Sequence, residues 1–484
     1  MDSRWLESGL RLHEAPQAPV RALVDLRRVV GPVPNLRGLH VGDMEIDLVK
    51  KLDTVEASVR TEAPTHPARF VETDMARLKE ECGATCARFG FEASILETDD
   101  APGVWREEGF SYLSDAITWG ERHGVHIVLD MHNAPGRAFG GDPRLWRDVR
   151  YQDRFVNLWA EIVRRFRDRG GIAAYELLNE PEPPDDDYAV WNALARRATE
   201  AIRAIDPQRP IIIDSIGYAN PSKFDGLQPT GDLYTLYSFH NYEPSAYHCQ
   251  KRSWIQDQNT YYYPGDVGGR YWNRRELLAT FGPALEFARR HRVPLFCGEF
   301  GCVSDCPPMT DMVYLMDEIS LFHELGISWT MYNYMQIHRD PFWKEHFDCN
   351  CYILYPPEDK LYRFDRKVAL VRFFAQAEGD VLDPLQPEDP NVHICGVRRR
   401  DGWTSILVSN KSREQEKHLA LGVSGLCRGI GGQRMVMDAT TDGWGVPAPV
   451  AHADGWLDLH LPRLSITRLE FPVTAPWALW GFRG

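Results

Sequence analysis

The sequence contains few cysteines, no long apolar run and no concentration of basic residues. Ten cysteines in 484 residues are too few for the disulfide scaffold of a small secreted domain. No apolar stretch approaches the roughly 18 residues of a membrane-spanning helix. With a net charge of -14 and scattered Lys and Arg, the chain has no basic stripe to follow a phosphate backbone. We therefore expect neither a membrane span nor a nucleic-acid partner, and the oligomeric state stays open.

The chain begins with charged residues, at positions 1–7, where a secretory signal would have an apolar core. We expect a cytoplasmic protein, or a secreted one if a signal peptide was removed. Five cysteines fall in predicted loops beyond the later strands, where one or two disulfides or a structural zinc are alternatives to reduced thiols. They are Cys249, Cys302, Cys306, Cys349 and Cys351.

Up to about residue 376, short apolar runs alternate with amphipathic stretches, which is the pattern of parallel strands joined by helices. Eight such units predict an α/β fold, a (β/α)8 barrel of the TIM type. Helices are predicted at 153–169 and 274–290. The predicted strands are 36–41, 84–89, 125–131, 173–179, 210–215, 234–240, 294–299 and 327–333.

After about residue 380 the pattern changes to short alternating segments separated by Gly, Asp and Asn, for example 404–408, 418–421, 434–437 and 456–461. This predicts a small antiparallel β-sandwich domain. We divide the chain into a barrel domain with an N-terminal extension, residues 1–376, and a C-terminal domain, residues 377–484.

Two glutamates stand at the ends of apolar runs that are bounded by Pro or Gly. Glu180 closes the run 175–180, and Glu299 closes the run 294–299. Such runs are typical of buried parallel strands, so both carboxyls are predicted at the strand ends that form the catalytic face of a barrel. A pair of carboxyls on one face indicates an acid and a nucleophile.

Two long loops on the predicted catalytic face, 243–272 and 338–362, are rich in aromatic residues. Aromatic faces suit the apolar faces of sugar rings, and long loops in a compact barrel are often functional. The same rings could simply pack the loops, because aromatic side chains dominate packing anywhere. Both interpretations stay open.

Six motifs across the predicted barrel together resemble glycoside hydrolase family 5, the cellulase-like family of retaining β-glycosidases. In chain order they are Arg37-Gly38-Leu39-His40, Arg88, residues 129–136, Leu178-Asn179-Glu180-Pro181, residues 239–244 and Gly298-Glu299-Phe300-Gly301. The resemblance implies Glu180 on strand four as acid/base and Glu299 on strand seven as nucleophile. Retaining hydrolysis uses such a pair, one protonated and one ionised, roughly 5 to 5.5 Å apart. No cofactor and no metal are implied.

The resemblance also implies which residues hold the sugar. Arg88 and Tyr242 would lie beside Glu299, and Asn179 would bond the sugar 2-hydroxyl. The family usually ends strand eight with a Trp under the cleaved sugar, and here Trp329 and Tyr332 compete for that place, with Tyr332 at the aligned position. The implied substrate-binding residues are Arg88, His132, Asn133, Asn179, His240, Tyr242, Trp329 and Tyr332.

From the long aromatic loops and the predicted second domain we expect a pocket closed on one side, which would favour exo-acting cleavage of small glycosides or oligosaccharides. Among the family's activities this is similar to β-mannosidase, β-glucosidase or galactofuranosidase. The alternatives are an endo-β-glucanase or mannanase, a glycosylceramidase-like enzyme, or a transglycosylase in which a sugar hydroxyl replaces water. A carbohydrate-binding protein without chemistry would be expected to lose one carboxylate, and both are present. The expected partner is a carbohydrate or glycoconjugate substrate.

Overall fold

The computed structural model describes residues 19–41, 70–137, 142–251, 257–303, 305–337, 351–355, 360–426 and 431–473. Its larger unit is a closed barrel of eight parallel strands, each paired with its neighbours in chain order and the eighth with the first. All eight predicted strands are confirmed, with ends that differ by at most three residues. Barrel strands one to eight are Arg37–Val41, Cys86–Glu92, His126–Asn133, Ile172–Glu176, Ile211–Asp214, Thr235–Asn241, Leu295–Phe300 and Ser328–Met331.

The barrel interior is filled by apolar side chains from several strands. Val128, Ala174, Ile212 and Phe296 form one cluster without solvent exposure. Barrel strand one approaches strand two so closely that a side chain at Gly38 would collide with a backbone carbonyl at 1.8 Å. Such packing makes the lower barrel a solid core and leaves the C-terminal strand ends to carry polar groups.

Helices follow the strands around the barrel. The predicted helix 153–169 is the helix Val149–Phe166, which begins at Asp148, whose side chain accepts the N–H of Arg150. The predicted helix 274–290 is instead two helices, since Pro283 lacks an N–H and starts a new helix. The α-helices of the described residues are Glu72–Glu80, Glu107–His123, Arg144–Arg147, Val149–Phe166, Tyr188–Arg203, Ile216–Ala219, Ser245–His248, Arg274–Thr280, Gly282–His291, Thr310–Leu325 and Asp365–Ala375.

Short elements complete the larger unit. The strands Gly265–Val267 and Arg270–Trp272 form a hairpin, and Met335–Ile337, Tyr352–Tyr355 and Lys360–Arg363 form a three-stranded sheet. Short 3-10 helices lie at Ala93–Ile95, Pro184–Asp186 and Pro221–Phe224. Among the helices that the structure describes, none has the length and apolarity needed to cross a membrane.

The second unit contains two further β-sheets with a shared apolar core. One sheet has the strand order Val20–Asp25, Lys417–Ser424, Trp456–Leu461. The other has the order Val29–Pro32, Gly379–Leu382, Val392–Arg399, Trp403–Asn410, Ser465–Pro472, Gly432–Met437, Ala448–Val450. Leu421 and Leu459 of the first sheet and Ile406 and Leu469 of the second belong to one buried cluster, consistent with the predicted sandwich.

The composition of the second unit differs from the predicted domain division. The unit comprises the described residues up to Val30 together with Asp380–Asp438 and the residues from Val446 onward. The sequence pattern instead predicts the whole N-terminal part as an extension of the barrel domain. The strand Val20–Asp25 pairs in parallel with Lys417–Ser424. The two strands lie almost at opposite ends of the chain, so the local sequence pattern of either one could not predict this pairing.

Candidate active site

The two glutamates identified from the sequence come together at the C-terminal ends of the barrel strands. Glu299 lies within barrel strand seven, and Glu180 follows the end of barrel strand four. One oxygen of each carboxylate and one ring nitrogen of His240 lie within 4.8 Å of one another. Both glutamates are buried, with exposures of 7% for Glu180 and 5% for Glu299.

A β-bulge in barrel strand seven places Glu299. Cys297 pairs with Phe239 of barrel strand six, but the next pairing joins Glu299 to His240, so that Gly298 is the extra residue. Gly298 is also needed for space, because a Cβ there would lie 2.7 Å from Nε2 of His240. The Gly-Glu pair in the sequence thus reflects both the bulge and the close approach of the imidazole.

Arg88 of barrel strand two is fully buried and joins several side chains of the site. Its Nη1 donates to Glu299 over 2.7 Å, and Nε and Nη2 donate to the two oxygens of Glu176 over 2.8 and 3.0 Å. Its Nη2 also lies 3.1 Å from Asp130 and donates to Oδ1 of Asn179 over 2.8 Å. One guanidinium therefore fixes Glu299 and Asn179 relative to each other.

Glu299 is held in its ionised form. Burial opposes the charge, but His240 and Arg88 outweigh burial and lower the pKa of Glu299 to about 2. The Tyr242 hydroxyl donates to its Oε2 over 2.8 Å. The structure thus brings Arg88 and Tyr242 to Glu299 as the family resemblance implied, and leaves a charged carboxylate at neutral pH.

His240 is positively charged at neutral pH. Burial disfavours the charged ring, but Glu299, Glu180 and Asp214 together raise the pKa of His240 to about 9. Its Nδ1 lies 2.8 Å from Oε1 of Glu180, and its Nε2 lies 3.6 Å from Oδ2 of Asp214. The imidazolium therefore stands between the two glutamates and links both to barrel strand five.

Among the implied sugar-binding residues, His132 and Asn179 meet at the site, whereas the Asn133 amide bonds to protein groups. Nε2 of His132 lies 3.3 Å from Nδ2 of Asn179. The Asn133 side chain donates to Glu92 and accepts from Arg137 over 3.1 Å. Oδ1 of Asn179 accepts a hydrogen bond from Arg88, so the amide nitrogen Nδ2 points away from Arg88 and towards His132.

The structure separates the two candidates for the sugar platform. Trp329 is fully buried, with its ring 5.8 Å from that of Phe300, so it offers no face to a ligand. The Tyr332 ring stacks on His40 at 5.3 Å, and His40 in turn lies 2.8 Å from Nη1 of Arg88. Because protein encloses its ring, the prediction of Trp329 as a platform is wrong. Of the two candidates, Tyr332 is the one that lies beside the polar residues of the site.

Five polar residues around the two glutamates and Arg88 are not among the predicted site residues, although two of them fall within the quoted motifs. Four of them lie inside strands that are otherwise apolar. A polar or ionisable residue in a fully buried strand is unusual, and this feature of the sequence could have been used to predict them. The fifth, Arg137, lies in the loop after barrel strand three and carries no such signal. They are His40, Asp130, Glu176, Asp214 and Arg137.

The aromatic loop 243–272 is described except for 252–256. Tyr247 and Tyr263 are fully buried, with rings 5.3 and 5.2 Å from that of Tyr314, so packing is their role. Tyr262 and Tyr271 are exposed, and contact with sugar stays a prediction for them. Of the second aromatic loop, residues 338–350 and 356–359 lie outside the described residues.

No disulfide joins any two of the eight cysteines that the structure describes. Cys302, Cys306 and Cys351 are buried, and Cys349 lies outside the described residues. Within the described ranges, the groups of three or more side chains with metal-ligand spacing consist of His, Asp and Glu at the barrel mouth and include no cysteine. The alternatives that involve Cys349 stay open.

Comparison with known proteins relates the chain to glycoside hydrolases. Endoglucanase C of Acetivibrio thermocellus is 31% identical over 282 residues, which cover 53% of this chain and 82% of that protein. A beta-xylosidase of Phanerodontia chrysosporium is 26% identical over 286 residues, covering 55% of this chain and 57% of that protein.

Solved structures and a family profile agree with this relation. A hyperthermophilic endo-beta-1,4-glucanase in complex with substrate superposes with a TM-score of 0.52 at 20% identity, covering 65% of this chain and 94% of that one, which shows the barrel fold. The profile of Cellulase (glycosyl hydrolase family 5) matches residues 53–336, more than half of the chain. The chain therefore belongs to glycosyl hydrolase family 5 and is a glycoside hydrolase.

Proposed function

We propose that this hydrolase cleaves β-glycosidic bonds with retention of configuration, with Glu180 as acid/base and Glu299 as nucleophile. The observation that carries the proposal is the approach of the two carboxylates, whose oxygens lie within 4.8 Å of each other. Retaining enzymes hold their carboxyls roughly 5 to 5.5 Å apart, whereas inverting enzymes leave roughly 6.5 to 9.5 Å for a water molecule.

In the first step, the ionised Glu299 attacks the anomeric carbon while Glu180 donates a proton to the departing glycosidic oxygen. The bond from the anomeric carbon to that oxygen breaks, and an ester to Glu299 forms. In the second step, Glu180 accepts a proton from water as the water oxygen attacks the same carbon and releases Glu299. His240 hydrogen-bonds to Glu180 and lies 3.6 Å from Glu299, so its charge offsets the carboxylate that each step generates.

The surrounding residues have matching roles in sugar binding. Nδ2 of Asn179 is oriented by the Arg88 contact to Oδ1 and would donate to the sugar 2-hydroxyl, a bond that strengthens in the transition state. His132 would bind a neighbouring hydroxyl. Tyr332 would form the floor of the subsite. Its single ring would make that floor smaller than a Trp would, and its hydroxyl would make the floor more polar.

For the substrate, we propose exo-acting cleavage of small β-glycosides or oligosaccharides. The support is the loop after barrel strand six, which packs beside the nucleophile: the ring of His248 lies 4.3 Å from that of Tyr242, which bonds Glu299. We infer that this loop forms a wall of the sugar-binding site and so limits how far a chain of sugars can extend. Endo-acting cleavage of a β-glucan is the second candidate, favoured by the similarity to endoglucanases.

A substrate screen tests both candidates. The purified chain is assayed against aryl β-glycosides of mannose, glucose, galactose, galactofuranose and xylose, and against polymeric glucan and mannan. Activity on an aryl glycoside, absent in Glu299→Ala, supports the exo proposal and identifies the sugar. Activity on polymers alone supports endo cleavage. If Glu299→Ala retains the activity of the wild type, the assignment of the nucleophile is wrong.

A further inference from the structure

Glu180 has a backbone conformation that ordinary residues rarely adopt. Its φ is 46°, in the left-handed region that favours glycine. A non-glycine residue stays in this region only where the surrounding structure determines its conformation. The direction of the Glu180 carboxyl, whose Oε1 lies 2.8 Å from Nδ1 of His240, therefore depends on the groups that hold this backbone.

Two buried side chains hold the peptide groups of Glu180. Its N–H donates to Oδ2 of Asp214 over 3.1 Å, and its carbonyl accepts from Nη2 of Arg137 over 2.6 Å. The preceding residue is held differently, because the N–H of Asn179 donates to the backbone carbonyl of Met131 over 3.1 Å. At Glu180, side chains from two other parts of the barrel take the place of the regular strand pairing.

Both residues are fixed by contacts of their own. Asp214 ends barrel strand five with no solvent exposure, and its carbonyl accepts Nε1 of Trp191 over 2.9 Å. Arg137 is 3% exposed, and its Nη1 donates to the carbonyl of His132 over 2.7 Å and to Oδ1 of Asn133 over 3.1 Å. Each is therefore a rigid point of attachment.

We propose that Arg137 and Asp214 are positioning residues for the acid/base: they clamp the backbone of Glu180 from both sides and so aim its carboxyl at the glycosidic oxygen. The inference rests on the proposed role of Glu180. Neither side chain needs to touch the substrate. Loss of Arg137 should impair proton transfer and leave nucleophilic attack by Glu299 largely intact, since the contacts of Glu299 with Arg88 and Tyr242 do not involve Arg137. Loss of Asp214 should impair proton transfer as well, but it also removes the carboxylate that lies 3.6 Å from Nε2 of His240, so a smaller loss of nucleophilic attack accompanies it.

The test compares two aryl glycosides of the same sugar, one with a good leaving group such as dinitrophenol and one with a poor leaving group such as phenol. The parameter is kcat/KM, which reports the first step. Arg137→Met should lower kcat/KM about 10- to 100-fold on the phenyl glycoside, as expected for a misplaced catalytic group, and change it little on the dinitrophenyl glycoside. Asp214→Leu should lower kcat/KM on both substrates, and clearly more on the phenyl glycoside, because it also removes the partner of His240.

Arg154→Met is the matched control. Arg154 lines the same cavity of about 270 Å³ as Arg137 and is similarly shielded, with 13% side-chain exposure. It donates to Asp99 over 2.8 Å and to Glu97. This variant should leave both substrates unaffected once the proteins are compared at equal folded fraction, measured by thermal unfolding.

Conservative variants and a double-mutant cycle separate positioning from general damage. Asp214→Asn keeps an acceptor oxygen for the Glu180 N–H and should retain more activity on the phenyl glycoside than Asp214→Leu. In a Glu180→Ala background, Arg137→Met should cause no further loss, because the group that it positions is gone.

Three results would overturn the clamp. They are equal losses on both leaving groups, a loss in Arg154→Met as large as in Arg137→Met, or an undiminished effect of Arg137→Met in the Glu180→Ala background. The proposed function fails separately: if Glu180→Ala itself shows no dependence on the leaving group, Glu180 is not the acid, whatever the Arg137 variants show.

Discussion

The mouth of the barrel and the core of the second unit are both buried, but they are built from opposite chemistry. At the barrel mouth, the fully buried Arg88 bonds Glu299 and Glu176 and lies beside Asp130. The second unit has at its centre a cluster of aliphatic and aromatic residues such as Leu421. Burial therefore has two different purposes in this protein.

The difference shows where stability and chemistry reside. Apolar burial stabilises in proportion to the area removed from water, about 25 cal/mol per Å². Buried charges lose hydration and are stable only when every partner remains in place. At the barrel mouth this arrangement holds Glu299 ionised and His240 protonated, two states that an apolar core could not provide.

The largest expected effect comes from removing the nucleophile. Glu299→Ala should abolish measurable turnover, because no other group can form the covalent intermediate. Steady-state assays on the best substrate of the screen would measure this. Leu421→Ala in the second unit serves as the comparison and should retain turnover. Similar turnover rates in the two variants would show that the barrel mouth is no more important for activity than the core of the second unit.

Removing the acid/base should have a smaller and selective effect. Glu180→Ala is expected to lose on the order of 10² to 10⁴ in rate on unactivated substrates, about 3 to 5 kcal/mol, and less on substrates whose leaving group needs no proton. Added azide should restore turnover and yield a glycosyl azide of retained configuration, which product analysis by NMR would detect. An azide product of inverted configuration would contradict double displacement.

Breaking the buried charge cluster should destabilise the fold. Arg88→Met leaves carboxylates buried without a partner and should lower the free energy of unfolding by about 3 to 5 kcal/mol. Arg144→Met is the control: its ion pairs with Asp99 and Asp142 are partly exposed, and it should cost less than about 1 kcal/mol. Urea unfolding followed by fluorescence and by activity would measure both. Equal losses of unfolding free energy in the two variants would show that the buried ion pairs of Arg88 contribute no more to stability than the partly exposed pairs of Arg144.

A cavity in the second unit should lower stability without changing the chemistry. Leu421→Ala is expected to cost about 2 to 5 kcal/mol of unfolding free energy, because the site loses a buried side chain and cannot fully collapse. The kcat/KM of the folded protein should stay within a few-fold of the wild type. A selective loss of activity at full folding would show that this core influences the site.

The smallest expected effect is a pH dependence of stability through His240. Its pKa of about 9 in the folded protein exceeds the ordinary value of 6.5, so the stabilisation is fully present below pH 6.5 and is lost as the pH rises through 9. Urea unfolding at pH 6, 8 and 9.5 should show this decline in the wild type and a flatter profile in His240→Gln. Parallel profiles would contradict the assignment of the charge.

The fold and the two carboxylates could be predicted because their signals are local. Each barrel strand is a short apolar run between helices, and Glu180 and Glu299 follow such runs directly. The competition between Trp329 and Tyr332 could not be decided in this way. A strand shifted by one residue exchanges its two faces, and only the pairing with barrel strands seven and one fixes which face Trp329 occupies.

The sequence by itself determined the barrel, the family and the pair of catalytic candidates. Hydrophobic periodicity and short motifs can be recognised from neighbouring residues alone, without knowledge of distant contacts. The tertiary structure alone decided that Arg137 and Asp214 hold the backbone of Glu180, and that the strand Val20–Asp25 joins Lys417–Ser424. Those contacts join residues 34, 43 and about 400 positions apart. Nothing in a local pattern specifies them, because they form only when packing brings separate strands together.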